Sequence, residues 1–374
     1  MIQIDGDFPG GNIILERIEG DDILLRPDMR DTEGSWFYWA FRLRGGAGRR
    51  LNVHFTAHTP VGMTGPAVSL DQGRSWLWQS EAFTTDSFTL RVPAGCDDLR
   101  LAFSLVYTQA DWDRFIATLP PAADWKADVL CKTRQGRDVE LLHLGAPEAA
   151  AEKRVVITAR HHCCEMIANY TMEGLIAAIL GDGEAGAWLR RHVRFLFIPF
   201  ADKDGVEAGD QGKNRKPRDH NRDYVGESVH VETAAIRALL TRWAQRSGVD
   251  AAIDLHCPWI RGAGNDIVFQ VGREAPKVWA EQNRFGRMLE TVVSPDGLPY
   301  RVADNLAFGQ GWNTAGNYNS GMSFSRWAEG LDGMKLPTSF EIPYASAGGV
   351  AVTADRARRL GRDIATALAD YFRK

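Results

Sequence analysis

Cysteine is scarce in this sequence. Its five residues, Cys96, Cys131, Cys163, Cys164 and Cys257, are odd in number and lack the spacing of a disulfide framework. In a chain of 374 residues that pattern reads as reduced thiols of a cytoplasmic protein rather than as covalent staples. No apolar stretch approaches the ~20 residues of a membrane span. The opening segment from Met1 to Asp7 has neither the basic start nor the apolar core of a secretory signal. An excess of one charge is missing as well: a net charge of -4 gives no electrostatic ground for a nucleic-acid or membrane partner. Internal repeats and low-complexity tracts are absent. What is present is ordinary globular composition, 44% hydrophobic and 25% charged, in a chain long enough for two domains.

The first hundred or so residues read as β. Phe37, Trp39, Phe41 and Leu43 alternate with other residues, as do Leu51, Val53 and Phe55, then Phe88, Leu90 and Val92, then Leu99 through Tyr107. Short alternating strands separated by Gly- and Asp-rich connectors predict an all-β sandwich. The stretch Thr118 to Asp128, with Pro120-Pro121, predicts the join to a second unit. From Val129 the pattern changes to continuous apolar runs, Val155-Val156-Ile157 and Phe195-Leu196-Phe197-Ile198, as in strands covered on both faces. Helix-period stripes lie between them: Met172, Leu175, Ile176 and Ile179; Ala235, Ile236, Leu239, Leu240 and Trp243; and Leu360, Ile364 and Leu368, with Thr353 as N-cap. The expectation is an α/β catalytic domain with a mixed, largely parallel sheet, preceded by the sandwich, with boundaries at 1–118 and 119–374. Ligand sites of such sheets lie at the carboxyl ends of the strands.

Directly behind Val155-Val156-Ile157 stands Arg160-His161-His162-Cys163-Cys164-Glu165. A strand ending there delivers an imidazole, His162, and a carboxylate, Glu165, three residues apart, the spacing at which one turn points two ligands at a cation. His256 stands at the end of another apolar run, Ala251-Ala252-Ile253. Two His and one Glu from strand ends, with a coordination position left open, form the donor set of a catalytic zinc. His161 competes for the first place. His162 is preferred because it sets Glu165 three residues on, leaving His161 to pack or hydrogen-bond nearby. Cys163, Cys164 and Cys257 adjoin the ligands, but a buried free thiol is more commonly packing than a ligand of an open site.

Asn221-Arg222 offers an amide beside a permanently charged planar fork, which suits a carboxylate. The basic run from Lys213 to Arg218 gathers four more cations just upstream, an arrangement that calls for an acidic group to be bound. Glu341 lies within the apolar strand Thr338 to Ile342, where a carboxylate is costly unless paired or functional. Beside a metal, that is the place of a general base. Tyr318 opens a loop-like segment, Tyr318 to Met322, carrying a phenol.

In order, these residues resemble the zinc metallocarboxypeptidase family, and within it the cytosolic carboxypeptidase branch, over nearly the whole chain. The segments Phe8 to Asn12 and Trp36 to Tyr38 are similar to the start of that branch's β-rich region. Ala159 to Glu165 resembles the first zinc motif, Asp202 to Val206 the family's Asn-Pro-Asp-Gly-Val turn with two substitutions, and Asp254-Leu255-His256 the last zinc motif. The resemblance implies one zinc per chain held by His162, Glu165 and His256. It implies Asn221 and Arg222 as holders of the substrate's terminal carboxylate, Glu341 as general base, and Tyr318 as a mobile cap on the substrate. The family's oxyanion Arg aligns with Gly212 in an ungapped count from Arg222, so the role passes to Lys213 or Arg215, of which Arg215 is taken. The implied activity is hydrolysis of the last peptide or isopeptide bond of a peptide or protein with a free, possibly acidic, C-terminus. A zinc amidohydrolase of small N-acyl amino acids is the rival enzyme, and a catalytically idle binding protein the rival of another class.

Overall fold

Alternating apolar residues in the N-terminal part build two sheets. The computed structural model describes residues 1–121 and 124–374. Its first strands are β1 (Gln3–Asp5), β2 (Ile14–Glu19), β3 (Asp22–Arg26), β4 (Ala40–Arg44), β5 (Arg50–Phe55), β6 (Ala67–Ser69), β7 (Leu77–Trp78), β8 (Ala82–Phe83), β9 (Ser87–Arg91) and β10 (Asp98–Ala102). They form two five-stranded sheets, ordered β1-β4-β10-β6-β7 and β2-β3-β5-β9-β8. Every pairing is antiparallel except that of β3 with β5. Phe41, Leu43 and Leu101 from one sheet meet Leu25, Leu51 and Phe88 from the other in a single buried core. Trp39 bridges the layers, its ring 4.9 Å from Phe55 and 5.8 Å from Phe88. This is the sandwich that the alternation predicts.

The pattern misleads at its end. Leu105 and Tyr107 lie beyond β10, and a helix follows, α1 (Gln109–Thr118), whose start is held by the Asp111 carboxylate accepting from the Thr108 N–H at 2.8 Å. Only Trp112 of this helix is buried, so it carries almost no periodic signal. The expected join from Thr118 to Asp128 includes residues 122 and 123, which lie outside the described residues. The second region starts within that stretch, at β11 (Trp125–Lys132).

The remaining elements are β12 (Asp138–Gly145), β13 (Lys153–Ala159), α2 (Ile167–Leu180), α3 (Glu184–His192), β14 (Val193–Ile198), α4 (Lys203–Ala208), α5 (Val231–Ser247), β15 (Ala251–His256), β16 (Phe269–Gln270), α6 (Pro276–Val292), α7 (Phe324–Ala328), β17 (Leu336–Glu341), a small hairpin of β18 (Ser346–Ala347) and β19 (Val350–Ala351), and α8 (Ala354–Arg373). The sheet is ordered β11-β12-β14-β13-β15-β17-β16. Its four central strands, β14, β13, β15 and β17, are parallel, and the flanking strands pair antiparallel. Successive residues of the apolar runs face opposite layers. Val155 and Ile157 join the core of α2, α6 and α8, while Val156 joins that of α5 and α7. The last helix is capped as expected, Thr353 Oγ1 accepting from the Arg356 N–H at 3.2 Å. Helices α2 and α8 cross so closely that a Cβ on Gly361 would stand 1.9 Å from the Thr171 carbonyl oxygen. Among the described residues, no helix is long and apolar enough to cross a membrane.

Candidate active site

Because β13, β15 and β17 run parallel and in register, their carboxyl ends come to one edge of the sheet. The chain leaves β13 through Arg160, whose φ of 63° turns it sharply. The buried Arg160 guanidinium donates to the Cys163 carbonyl, to Asn169 Oδ1 at 2.7 Å and to the Tyr107 carbonyl at 3.0 Å. The turn carrying His162 and Glu165 is wrapped around that cation. His162 Nδ1 lies 2.9 Å from Glu165 Oε1, and His256 Nδ1 lies 2.6 Å from Glu165 Oε2. Each outer nitrogen is backed by a carboxylate: His162 Nε2 by Asp219 at 3.1 Å, His256 Nε2 by Asp254 at 2.5 Å. Burial opposes charge on both imidazoles. The carboxylates outweigh it, Asp219 and Glu165 at His162, Asp254 and Glu165 at His256, and hold both above the ordinary histidine range. Such backing orients metal-binding imidazoles and raises their basicity.

The fit to a metal can be judged from the donors themselves. Ligand atoms of His162, Glu165 and His256 lie within 4.8 Å of one another. Glu341, the last residue of β17, is the cross-strand neighbour of His256. Its Oε2 is buried without a hydrogen-bond partner, a costly condition for a carboxylate away from a functional site. Burial pushes this carboxyl up to about 7, with His256 and Lys213 pulling the other way and Glu165 adding to the rise. A His-Glu-His set beside an orphaned buried oxygen fits one divalent cation with an open position. His161 faces away, bonded to Asp254 Oδ1 at 2.9 Å and Tyr224 Oη at 2.8 Å.

A cavity of about 330 Å³ opens over His162 and Glu165, lined also by Lys213, Arg222 and Glu341. Arg222 is fixed by the Asn317 carbonyl at 3.2 Å and Asn317 Oδ1 at 3.3 Å. Among the described residues it has no carboxylate within ion-pair distance. Asn221 is within 3.1 Å of His256 Nε2 and accepts from the Phe324 N–H at 2.9 Å. Arg215, expected at the oxyanion, is elsewhere. Its guanidinium is locked by Asp202 at 2.8 Å and Asp210 at 3.0 Å, with Asp31 at 3.7 Å. Lys213 takes the cavity wall instead, its Nζ 2.7 Å from Glu165 Oε1. The basic run is thus neutralised by the protein's own acids, with Arg218 on Asp223 at 2.9 Å and Lys216 near Glu33 at 3.4 Å. Its charge does not by itself call for an acidic ligand. Tyr318 does not line the cavity either. Its hydroxyl donates to Asn313 Oδ1 at 3.1 Å, and its ring is flanked by the guanidiniums of Arg222 at 5.4 Å and Arg326 at 4.7 Å.

Sequence reasoning passed over three tryptophans on the rim, Trp36, Trp259 and Trp312. Trp259 and Trp312 are single aromatic residues in loops and carry no periodic signal, and Trp36 was marked only within the segment that resembles the family's β-rich start. It also passed over Asp219, which backs His162 and accepts from the Asn221 N–H at 2.6 Å. Behind this segment His220 stacks on His230, ring centroids 3.6 Å apart, and burial drives its imidazole down to about 3.

Residues 125–256 match the sequence profile of the zinc carboxypeptidase family. The chain is 31% identical over 235 residues to cytosolic carboxypeptidase 2 of Danio rerio, covering 54% of this chain and 33% of that protein. It is 22% identical over 262 residues to an uncharacterized protein of Zymomonas mobilis, covering 68% of this chain and 67% of that one. The chain therefore matches about a third of the length of its zebrafish relative. A metallo-carboxypeptidase from Burkholderia cenocepacia superimposes with a TM-score of 0.79 at 21% identity, over 100% of this chain and 99% of that one. One from Pseudomonas aeruginosa does so with a TM-score of 0.78, also at 21%, over 99% of both. At this identity the agreement concerns the fold, and it extends through the N-terminal β region.

Proposed function

We propose that this chain, whose residues 125–256 match the zinc carboxypeptidase profile, is a zinc carboxypeptidase that removes the last residue of a peptide or protein whose C-terminal carboxylate is free. One zinc per chain would be held by His162, Glu165 and His256. The carrying observation is that one cavity joins His162 and Glu165 of this donor set to a buried, unpartnered carboxylate, Glu341, and to a guanidinium, Arg222, without an acid of its own among the described residues. Zinc, when bound, supplies a Lewis acid that polarises the scissile carbonyl and acidifies water. Arg222 fixes the terminal carboxylate, so that the scissile bond lies over the donor set, while Asn221, expected beside it, is buried off the cavity wall with its amide on His256 and the Phe324 N–H. Glu341, with its carboxyl near 7, takes a proton from the attacking water and returns it to the leaving nitrogen. The Lys213 ammonium donates to the carbonyl oxygen as charge gathers there. Tyr318 orients the Arg222 guanidinium by covering it. The five free cysteines suit a reducing, cytoplasmic setting.

The test compares one peptide as free acid and as C-terminal amide. Amidation removes the charge that the Arg222 fork binds, and losing a desolvated charge partner costs on the order of 2–5 kcal/mol. The amide should be cut far more slowly by the wild type, and Arg222→Ala should narrow the gap by slowing the acid. Equal rates on both forms with the wild type would end the carboxypeptidase reading. Turnover of N-acyl amino acids but not of peptides would favour the amidohydrolase.

A further inference from the structure

The catalytic cavity has a wall that takes no part in the chemistry. Trp36 comes from the N-terminal β region and Trp259 from the loop after His256, and their rings meet at 5.1 Å, tilted by 54°. Phe37 stands edge-on to Trp259 at 5.0 Å. Trp259 nevertheless keeps 40% of its surface exposed, on the rim of the cavity. The loop is braced from the N-terminal side, the Arg261 guanidinium donating to the Val61 carbonyl and to that of Thr59 at 2.5 Å. The aromatic face is therefore held in place, not left to fluctuate.

Its position relative to Arg222 follows from contacts around the rim. In one direction Arg222 bonds Asn317 at 3.2 Å, the same loop carries Trp312, which lines the cavity along with Asn265, and Asn265 Nδ2 donates to the Arg261 carbonyl at 3.0 Å, in the loop of Trp259. In the other, the Arg222 N–H donates to the Asp219 carbonyl at 2.9 Å, and the Asn214 N–H donates to Asp219 Oδ2 at 3.2 Å. Next to Asn214, the Lys213 ammonium lies 6.0 Å from the Trp36 ring. The Trp36–Trp259 pair therefore occupies a part of the cavity rim that is separate from Arg222. With the terminal carboxylate on Arg222 and the scissile carbonyl over the donor set, the residue before the cleaved bond meets the rest of the wall, whose largest apolar surface is this pair.

We infer that Trp36 and Trp259 form the subsite for the residue immediately before the cleaved bond and select an apolar or aromatic side chain there. The N-terminal β region then takes part in choosing the substrate. The inference rests on the carboxypeptidase reading.

Six N-acetylated peptides test both. They are Ac-Ala-Phe-Xaa and Ac-Ala-Gly-Xaa, with Xaa Glu, Leu or Lys, assayed for release of Xaa by the zinc-loaded protein. For the Xaa that is released, kcat/KM should favour Phe over Gly by about tenfold, the worth of one aromatic contact with its buried area. Trp259→Ala and Trp36→Ala should each reduce that preference to about twofold by slowing the Phe peptide alone, and Trp36→Phe should keep most of it. Should Trp36→Ala fail to fold, Trp259→Ala carries the test, because that ring is already part exposed. No Phe preference in the wild type, or equal losses on Phe and Gly peptides at unchanged zinc content, overturns the subsite while leaving the carboxypeptidase reading intact. If none of the six peptides loses its last residue, that reading fails and the subsite with it.

Discussion

Lys213 and Arg215 stand two positions apart and serve opposite surroundings. Lys213 reaches Glu165 at 2.7 Å inside the cavity, while Arg215 balances Asp202, Asp210 and Asp31 behind it. Replacing each by Met should separate the roles. Lys213→Met should lower kcat by about 10²–10³-fold, the effect of losing one oxyanion donor, with the melting temperature little changed. Arg215→Met should leave buried acids uncompensated, at a cost of about 3–5 kcal/mol, and its folded fraction should turn over nearly as the wild type does. The reverse pattern in stopped assays and thermal melts would return the oxyanion role to Arg215. Glu341→Gln should retain zinc and lose about 10²–10⁴-fold in kcat, since the amide keeps shape but removes the base. Near-normal turnover would mean that another group activates water. His256→Ala should lose most of its zinc by metal analysis while the fold persists; full occupancy would remove His256 from the ligand set. His162, Glu165, His256 and Glu341 were legible in the sequence because each sits at or just past the end of an apolar run. The Lys213 and Arg215 assignment was not, since an irregular loop lets a shift of two residues reverse which cation faces the site.

At the scale of elements, the strands and helices with a clear period followed it. Runs such as Val155-Val156-Ile157 are central strands, and the stripes of α2, α5 and α8 face the two cores. Helix α6 and the short helices α3, α4 and α7 were not anticipated, and two further features escaped for physical reasons. Helix α1 buries only Trp112, so its sequence shows no apolar face. The parallel pairing of β3 with β5 depends on where chain segments return, which alternation does not encode. The short 3-10 turn His220–Arg222 places Arg222 on the cavity, with Asn221 buried against His256 and His220 behind. Burial holds the folded His220 near 3, against 6.5 for the unfolded imidazole, so between these values the unfolded chain binds the extra proton. The stability that His220 lends is complete above pH 6.5 and is lost as pH falls toward 3. Neighbouring Glu232, pushed up to about 7 chiefly by burial, acts with the opposite sign: its contribution fades as pH rises from 4.5 to 7. Urea midpoints measured from pH 6.5 down to pH 4 should therefore fall more steeply for the wild type than for His220→Asn. Parallel curves would mean that His220 protonates freely in the folded state.

For the whole molecule, we propose a division at residues 1–118 and 119–374, but the two parts share one core. Tyr344 packs between Phe37 at 5.5 Å and Phe103 at 4.9 Å, and its carbonyl accepts from Ser104 Oγ at 2.9 Å. Gln211 bonds both backbone groups of Tyr38, at 2.7 and 2.9 Å, and Asn12 Nδ2 donates to the Gly209 carbonyl at 2.7 Å. Residues 119–374 expressed alone should thus aggregate or melt well below the full chain, because the cut exposes apolar surface and strands buried polar groups. A soluble, monodisperse fragment with the full-length melting temperature would show that the regions fold independently. One further consequence comes from the register of β15 and β17. Since His256 and Glu341 are neighbours across a hydrogen-bonded ladder, their backbones are set one interstrand spacing apart, about 4.8 Å. That length belongs to the peptide backbone and is insensitive to side-chain exchange on the loops. An engineer could therefore replace the rim wholesale, Trp36 and Trp259 included, to seek new substrates without retuning the reacting pair.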